Sequence, residues 1–420
     1  MSVLSRKKQQ LWIEGLSIEE LTERYSTPCY IYSHATIRSN FVAYQDALQG
    51  YKHLICFAVK ANSNIAILQI LARLGAGFDI VSVGELERVL IAGGDPKKIV
   101  FSGIAKTSVE MKRALQVGIY CFNIESEEEL LLLNEVALDV GLLAPISVRV
   151  NPDVDPITHP YISTGLKESK FGIDISEAEN IYRQAKSLKN IRIIGIDCHI
   201  GSQITELQPI IEALEHLIVL SDKLKSQGIH LEHIDLGGGL GVRYEKEEPP
   251  SIKAYLNSVL NCFSGRNETL VLEPGRSIIA EAGYLVTRVQ YLKNNDVKNF
   301  AIVDAGMNDM LRPALYQAWM DIQAVTLDND KPKTYFDVVG PVCESSDFLG
   351  LNRLLSIDSG DLLCVHSAGA YGFAMSSNYN SRPKVAEIIV SGDNAYLVRE
   401  RENLSDLTRG EQLLPELILK

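Results

Sequence analysis

From about residue 53 to residue 274, eight short apolar runs alternate with stretches able to form helices. They are HLICFAV (53 to 59), GFDIVS (77 to 82), KIVFSG (98 to 103), YCFNI (120 to 124), ISVRVNP (146 to 152), IGIDCHI (194 to 200), HIDLGGG (233 to 239) and LVLEPG (270 to 275). Each of the first seven is followed by a helix-forming segment, such as NIAILQILARLG after the first and SEEELLLLNEVALDVG after the fourth. Continuous apolar runs at a βα spacing mean parallel strands buried on both faces. Eight such units is the count that closes an α/β barrel of the (β/α)₈ kind, with a doubly wound sheet as the alternative.

After residue 280 the texture changes. GYLVTRVQYL, NFAIVDAG, TYFDVVG, DLLCVHSAG and KVAEIIVSGDNAYLVRER are alternating or β-branched runs between Gly, Asn and Asp turns, which predict an all-β domain. One more strand candidate, PCYIYS (28 to 33), precedes the barrel and can pair with that domain. We therefore expect an N-terminal segment over 1–37 that joins the β domain, a barrel over 38–280, and the β domain itself over 281–420. A chain of 420 residues exceeds the length one core usually serves, so two domains fit.

Charge and cysteine usage narrow the classes of partner. Lys plus Arg is 41 against 53 Asp plus Glu, a formal charge of -12, so a nucleic-acid backbone meets no net attraction and is not expected as a partner. The seven cysteines (29, 56, 121, 198, 262, 343 and 364) are odd in number and never form C-x-x-C, which suggests neither a disulfide framework nor a zinc cluster. His230 and His233 stand three apart with no further ligand near them in sequence, and no metal is assigned. MSVLSRKKQQLWIEG has no apolar stretch behind its basic residues, and no run of eighteen apolar residues occurs anywhere, so no membrane partner is expected. Cytoplasm is the expected compartment.

Polar residues sit where a barrel would use them. Lys60, Asp79, Asn123, Arg149, His199, glycines 237 to 239 and Glu273 all fall at or just after the carboxyl ends of the runs, the active rim of a barrel. Lys60 closes AVKAN. Alone it is read as well as a lysine snorkelling to the surface as a desolvated amine with a lowered pKa that condenses with a carbonyl. DLGGGLG (235 to 241) lets main-chain N–H groups converge on an anion, or makes only a tight turn. It lacks the third glycine of G-x-G-x-x-G and has no P-loop Lys-Ser/Thr, so neither nucleotide fingerprint applies. EPGRS (273 to 277) ends the eighth run with a carboxylate, a rigid turn and Arg276. A phosphate between the seventh and eighth loops is the common barrel arrangement, and Gly239 and the amides of 275 to 277 would hold it. Lysine, phosphate nest and a carboxylate for a ring nitrogen together describe a site for pyridoxal 5′-phosphate.

AVKAN, THPYISTGLKESKFGI (158 to 173), DCHIGSQ (197 to 203), DLGGGLG, EPGRSIIAEAG (273 to 283), DAGMNDMLRPALY (304 to 316), GPVCESSDFLG (340 to 350) and GAYGFAMSSNYN (369 to 380) stand in this order. Together they resemble the diaminopimelate decarboxylase family, from about residue 28 to the C-terminus and without departure at the motif positions. The resemblance implies an alanine-racemase-like barrel plus a β domain, pyridoxal phosphate as cofactor, and conversion of meso-2,6-diaminopimelate to L-lysine and CO₂, the last step of lysine biosynthesis. It also implies a homodimer with composite active sites.

By position, Lys60 resembles the family's Schiff-base lysine and His199 the imidazole stacked on the cofactor ring. Ser202, Gly238, Gly239, Glu273, Pro274, Gly275 and Arg276 resemble the phosphate and ring contacts. Arg276, Arg312, Tyr316 and Glu344 resemble the clamp on the distal end of the substrate. Cys343 resembles the proton donor, and Tyr371 a contact to cofactor and substrate alike. Read alone, Cys343 fits a buried inert thiol and the arginines fit surface charges. Rival readings are an ornithine or arginine decarboxylase, which needs acidic partners where Arg276 and Arg312 stand, and a racemase of this fold, which pairs its ring nitrogen with arginine rather than glutamate. A non-catalytic binder of the cofactor would need neither Cys343 nor the clamp.

Overall fold

The computed structural model describes residues 4–155, 170–328, 330–415 and 418, so the motif at 158 to 173 lies outside the described residues as far as position 169. The chain forms two units. One comprises His34–Ala282 with Gly369–Ala374, the other Met1–Ser33, Gly283–Ala368 and Met375–Lys420.

The first unit is the eight-stranded parallel barrel. Its strands are β1 (His53–Ala58), β2 (Gly77–Ile80), β3 (Ile99–Phe101), β4 (Cys121–Ile124), β5 (Ala144–Asn151), β6 (Ile191–Asp197), β7 (His233–Asp235) and β8 (Thr269–Leu272). Each pairs in parallel with the next, and β8 pairs with β1 to close the ring. All eight apolar runs became these strands, so the doubly wound alternative falls.

Local sequence sets the helix starts between them. Asn64, Ser82, Thr107, Ser126 and Ser251 each accept a hydrogen bond from a backbone N–H in the first turn of the helix that follows. A cap of this kind is worth about 0.5 to 2 kcal/mol. Gly118 and Gly141 end two of the helices in the left-handed conformation.

Strand alternation sorts the side chains. Cys56, Val100 and Val271 form an apolar cluster with Leu54 and Tyr120 inside the ring. Phe78 faces outward, close enough to Gly94 that an added Cβ there would stand 3.0 Å from its ring. The barrel unit departs from the expected bounds of 38–280 at three places: it begins at His34, ends at Ala282 and adds Gly369–Ala374. Helix His34–Ala47 belongs to it because Ile37, Phe41 and Tyr44 are buried, with the Tyr44 hydroxyl 2.7 Å from Ser277 Oγ. Residues 369–374, expected in the β domain, join the barrel because the Tyr371 N–H donates to Ala61 O at 2.8 Å and Asn62 Nδ2 to Gly369 O at 3.0 Å.

The second unit is a mixed sheet in the order Phe348–Leu355, Thr334–Val339, Asn299–Val303, Gly283–Asn294, Cys29–Ser33, Ala386–Ser391, Asn394–Arg399. Strand Cys29–Ser33 lies antiparallel to Gly283–Asn294 on one side and parallel to Ala386–Ser391 on the other. The N-terminal segment thus joins the β unit, and it does so with more than one strand. Leu11, Ile13, Ile18 and Leu21 share a buried cluster with Ile31, Val286, Cys364 and Ile388.

Candidate active site

The carboxyl ends of the barrel strands carry a ring of charged and glycine residues. Lys60 sits in the single turn Val59–Ala61 directly after β1, and its Nζ is 2.8 Å from Asp79 Oδ2 on β2. Asp79 is fully buried, while the lysine side chain is about one-third exposed. Burial pulls the ammonium's pKa down, but Asp79, Glu273 and Tyr371 outweigh it and raise the pKa above the ordinary lysine value. The expectation of a lowered pKa is therefore corrected: the cofactor-free amine is held protonated by its carboxylate neighbour.

Beside it lies the glycine nest. Gly237 and Gly239 have φ of 67° and 112°, which side chains seldom adopt. A Cβ on Gly238 would stand 2.2 Å from Glu273 O, and one on Gly239 would meet Gly201 O at 2.8 Å. The Gly238 N–H donates to His199 Nδ1 at 3.2 Å, which fixes the imidazole over the nest. Burial, then Lys60 and Arg149, push the His199 pKa well below its usual value, so the ring is neutral.

After β8, Gly275 caps the short helix Arg276–Ile279. Arg276 is buried. It donates to Ser202 Oγ at 2.9 Å and to the Tyr244 hydroxyl at 2.7 Å, and its guanidinium stands 4.8 Å from the Tyr371 ring centroid. Tyr371 has φ of 55° and is held there by its hydrogen bond to Ala61 O.

Below this rim the barrel interior is acidic. Asp197 and Asp235 stand directly opposite each other on β6 and β7, and Glu273 follows β8. Carboxylate oxygens of the three lie within 4.8 Å of one another. Arg149 on β5 faces them, 3.9 Å from Asp197 Oδ2 and 3.2 Å from Glu125 Oε1. Glu273 Oε1 is buried and has no hydrogen-bond partner. Burial first, then Asp235, Asp79 and Asp197, raise the Glu273 pKa well above the carboxylate range.

Residues 34–280 match the pyridoxal-binding domain of the pyridoxal-dependent decarboxylases. Over 99% of its length the chain is 58% identical to the diaminopimelate decarboxylase of Pseudomonas aeruginosa, whose whole length is covered. The chain belongs to the diaminopimelate decarboxylase family. The crystal structure of the Helicobacter pylori diaminopimelate decarboxylase complexed with L-lysine superposes with a TM-score of 0.90 at 45% identity, covering 93% of this chain and 98% of that one. The M. jannaschii enzyme superposes with a TM-score of 0.94 at 37% identity, covering 99% of each.

The residues present fit the cofactor of this decarboxylase family. The buried carboxyl of Glu273, one oxygen of which is orphaned, can accept a hydrogen bond from a protonated pyridine nitrogen. The nest at 237 to 239 has no room for side chains, so a phosphate can come close to its backbone. The N–H groups of Gly237 and Gly238 are given to Asp235 and His199, which leaves that of Gly239 for the phosphate. Lys60 is the cation at the same mouth.

The remaining expected site residues lie in the β unit. Arg312, at the start of helix Arg312–Tyr316, is buried and donates to Met320 Sδ at 3.2 Å, and Tyr316 is half-buried at the end of that helix. Cys343 is exposed, contrary to the reading of an inert buried thiol, and its N–H donates to Asn380 Oδ1 at 2.9 Å. Glu344 is exposed and accepts the Tyr379 hydroxyl. Sequence reasoning passed over Asp197, Asp235 and Tyr244. The signal was present for the two aspartates, since IGIDCHI and HIDLGGG each carry an acid inside a run otherwise apolar enough to be buried.

Proposed function

We propose that this chain removes one carboxylate of meso-2,6-diaminopimelate to give L-lysine and CO₂ in the cytoplasm, as a homodimer. The observation that carries the reading is Lys60 facing the orphaned Glu273 at one barrel mouth, in a chain more than half identical, end to end, to a named diaminopimelate decarboxylase. The cofactor, when bound, supplies the electron sink for the charge left as CO₂ departs.

The chain's own groups have separate tasks. Lys60 Nζ would hold the cofactor at its aldehyde, with Asp79 beside it as the group that holds the amine's proton. Glu273 keeps the ring nitrogen protonated by presenting negative charge to it. His199, neutral and fixed by Gly238, would lie against the cofactor ring without adding positive charge. Ser202, Gly238, Gly239 and the 273 to 276 turn bind phosphate and ring, and Pro274 O anchors the turn to the Ala58 N–H at 3.2 Å. Arg276, Arg312, Tyr316 and Glu344 bind the distal ammonium and carboxylate of the substrate, and two guanidinium forks suit a carboxylate there. Cys343 delivers the proton that replaces CO₂, and Tyr371 borders cofactor and substrate. Among the described residues no helix is long and apolar enough to cross a membrane.

The test is the absorption spectrum of purified protein with pyridoxal phosphate, followed by CO₂ release from meso-diaminopimelate and from ornithine. A visible band from the bound cofactor and release from diaminopimelate alone is the expected result. Release from ornithine at an equal rate overturns the substrate assignment.

A further inference from the structure

Asp235 and Glu273 confront each other inside the barrel in a way two carboxylates cannot sustain. Asp235 is fully buried and Glu273 nearly so, and a carboxylate oxygen of each lies within 4.8 Å of the other. One oxygen of Asp235, Oδ1, accepts the Gly237 N–H at 2.9 Å. The other, Oδ2, and Glu273 Oε1 are both buried without any donor among the neighbouring groups. Orphaned acceptors on two carboxyl groups this close can be satisfied together by a single proton shared between the groups.

The surroundings demand that proton. Facing the pair are Asp79 on β2, Glu125 after β4, and Asp197 on β6, giving five carboxyl groups with Asp235 and Glu273 themselves. Among the described residues two cations face them, Lys60 after β1, paired with Asp79, and Arg149 on β5, paired with Glu125 and 3.9 Å from Asp197. The other titratable neighbours add no positive charge. Cys56, Cys121 and Cys198 are thiols whose ionisation burial suppresses, and His199 and His233 are held neutral by burial. An unpaired buried carboxylate takes up a proton rather than keep its charge. A hard divalent cation is the competing way to neutralise the cluster, but Mg²⁺ and Ca²⁺ take about six to eight oxygen ligands. Among the described residues, Asp197, Asp235 and Glu273 are the three that converge here.

We propose that Asp235 is a positioning residue that stays protonated and donates its hydrogen to Glu273, locking the glutamate with its charge turned to the mouth. The O–H bond stays on Asp235 and no proton leaves the pair when a pyridinium nitrogen docks on the far oxygen of Glu273. The consequence for the cofactor rests on the reading that Glu273 faces the ring nitrogen, whereas the proton itself belongs to the cofactor-free protein.

The experiment separates the two. Urea unfolding of cofactor-free parent, Asp235→Asn and Asp235→Ala proteins is followed between about pH 5 and pH 8. A buried acid that keeps its proton when folded and loses it when unfolded makes stability fall as pH rises above the ordinary carboxylate range. The asparagine donates to Glu273 without titrating, so its variant should lose less stability over that interval than the parent. An Asp235→Asn protein as pH-sensitive as the parent overturns the proposal. Should that variant not fold, Glu273→Gln removes the other half of the pair and the same slope is read from it.

In the second arm, pyridoxine 5′-phosphate, which cannot condense with Lys60, is titrated into each protein. Asp235→Asn should bind it nearly as the parent does. Asp235→Ala, leaving Glu273 without its donor, should bind about tenfold more weakly or worse. Equal loss in both variants overturns the donor role. Failure of the parent to bind the phosphate ester overturns the cofactor reading of Glu273 and leaves the first arm to decide the pair.

Discussion

Lys60 Nζ and Asp79 Oδ2 are 2.8 Å apart, joined across the ends of neighbouring barrel strands, so the amine proposed as nucleophile is one whose proton is held in place. Only neutral amine attacks. Asp79→Asn should therefore speed capture of pyridoxal phosphate by the cofactor-free protein near neutral pH by about tenfold or more, since each unit of pKa lowering multiplies the neutral fraction tenfold. Stopped-flow absorbance at the band of the bound cofactor reads the rate. In the parent the rate should climb with pH as the ammonium is titrated, and a capture rate slower in Asp79→Asn than in the parent contradicts the assignment.

Lys60→Ala should abolish turnover, because exchange of one amine for another on the cofactor is lost. Borohydride reduction of the loaded parent protein followed by peptide mapping should tag Lys60. A tag on any other lysine refutes its role.

Arg312→Ala and Arg276→Ala should impair use of diaminopimelate at a cost of roughly 2 to 5 kcal/mol in kcat/KM, the penalty for leaving a carboxylate poorly paired. Arg312 should leave cofactor affinity unchanged. Arg276 should not, since its contact to Ser202 ties it to the phosphate side of the mouth. A kcat/KM within about twofold of the parent in Arg312→Ala would remove that residue from the clamp.

Cys343 is exposed in its unit, which suits a thiol that works on another surface. If it serves the partner subunit's site in a dimer, equal amounts of inactive Lys60→Ala and Cys343→Ala subunits, dissociated and remixed, should regain about a quarter of the parent activity, because one site in four recovers both groups. No recovery after verified subunit exchange places the thiol in its own chain's site or outside the reaction.

Lys106 is a test of the scaffold. Its Nζ, buried, donates to Gly103 O and Asn123 O at 2.7 Å each and to Glu129 Oε1 at 2.6 Å. Lys106→Met strands Glu129 in a buried setting and should cost about 3 to 5 kcal/mol in urea unfolding. Burial already raises the Glu129 pKa against the pull of Lys106, so the variant should be least stable at high pH, where the stranded carboxyl has to ionise or hold its proton against solvent.

The barrel was legible because buried parallel strands leave continuous apolar runs, and each of the eight kept its place. The rim was legible for the same reason: Lys60, His199 and Glu273 interrupt those runs at their carboxyl ends. What sequence could not give was the sign of the shift at Lys60. Burial and an acidic neighbour act in opposite directions, and which wins depends on the 2.8 Å contact to Asp79, nineteen residues away. Asp235 was hidden differently, since within HIDLGGG it reads as a lead-in to the glycines. Nor did the first two dozen residues show their use, because strands of two to four residues carry too little periodicity.

Strand Cys29–Ser33 has consequences for how the chain is made. Its two neighbours, Gly283–Asn294 and Ala386–Ser391, are encoded beyond the barrel, so a ribosome releases a strand destined for burial at all five positions with both hydrogen-bonding edges open and then synthesises the whole barrel before either edge can be covered. Translation order and sheet order are at odds here. The early segment has to be kept apart from other nascent chains for the time it takes to translate the barrel, a burden that falls on chaperones and elongation speed rather than on any residue of the mouth.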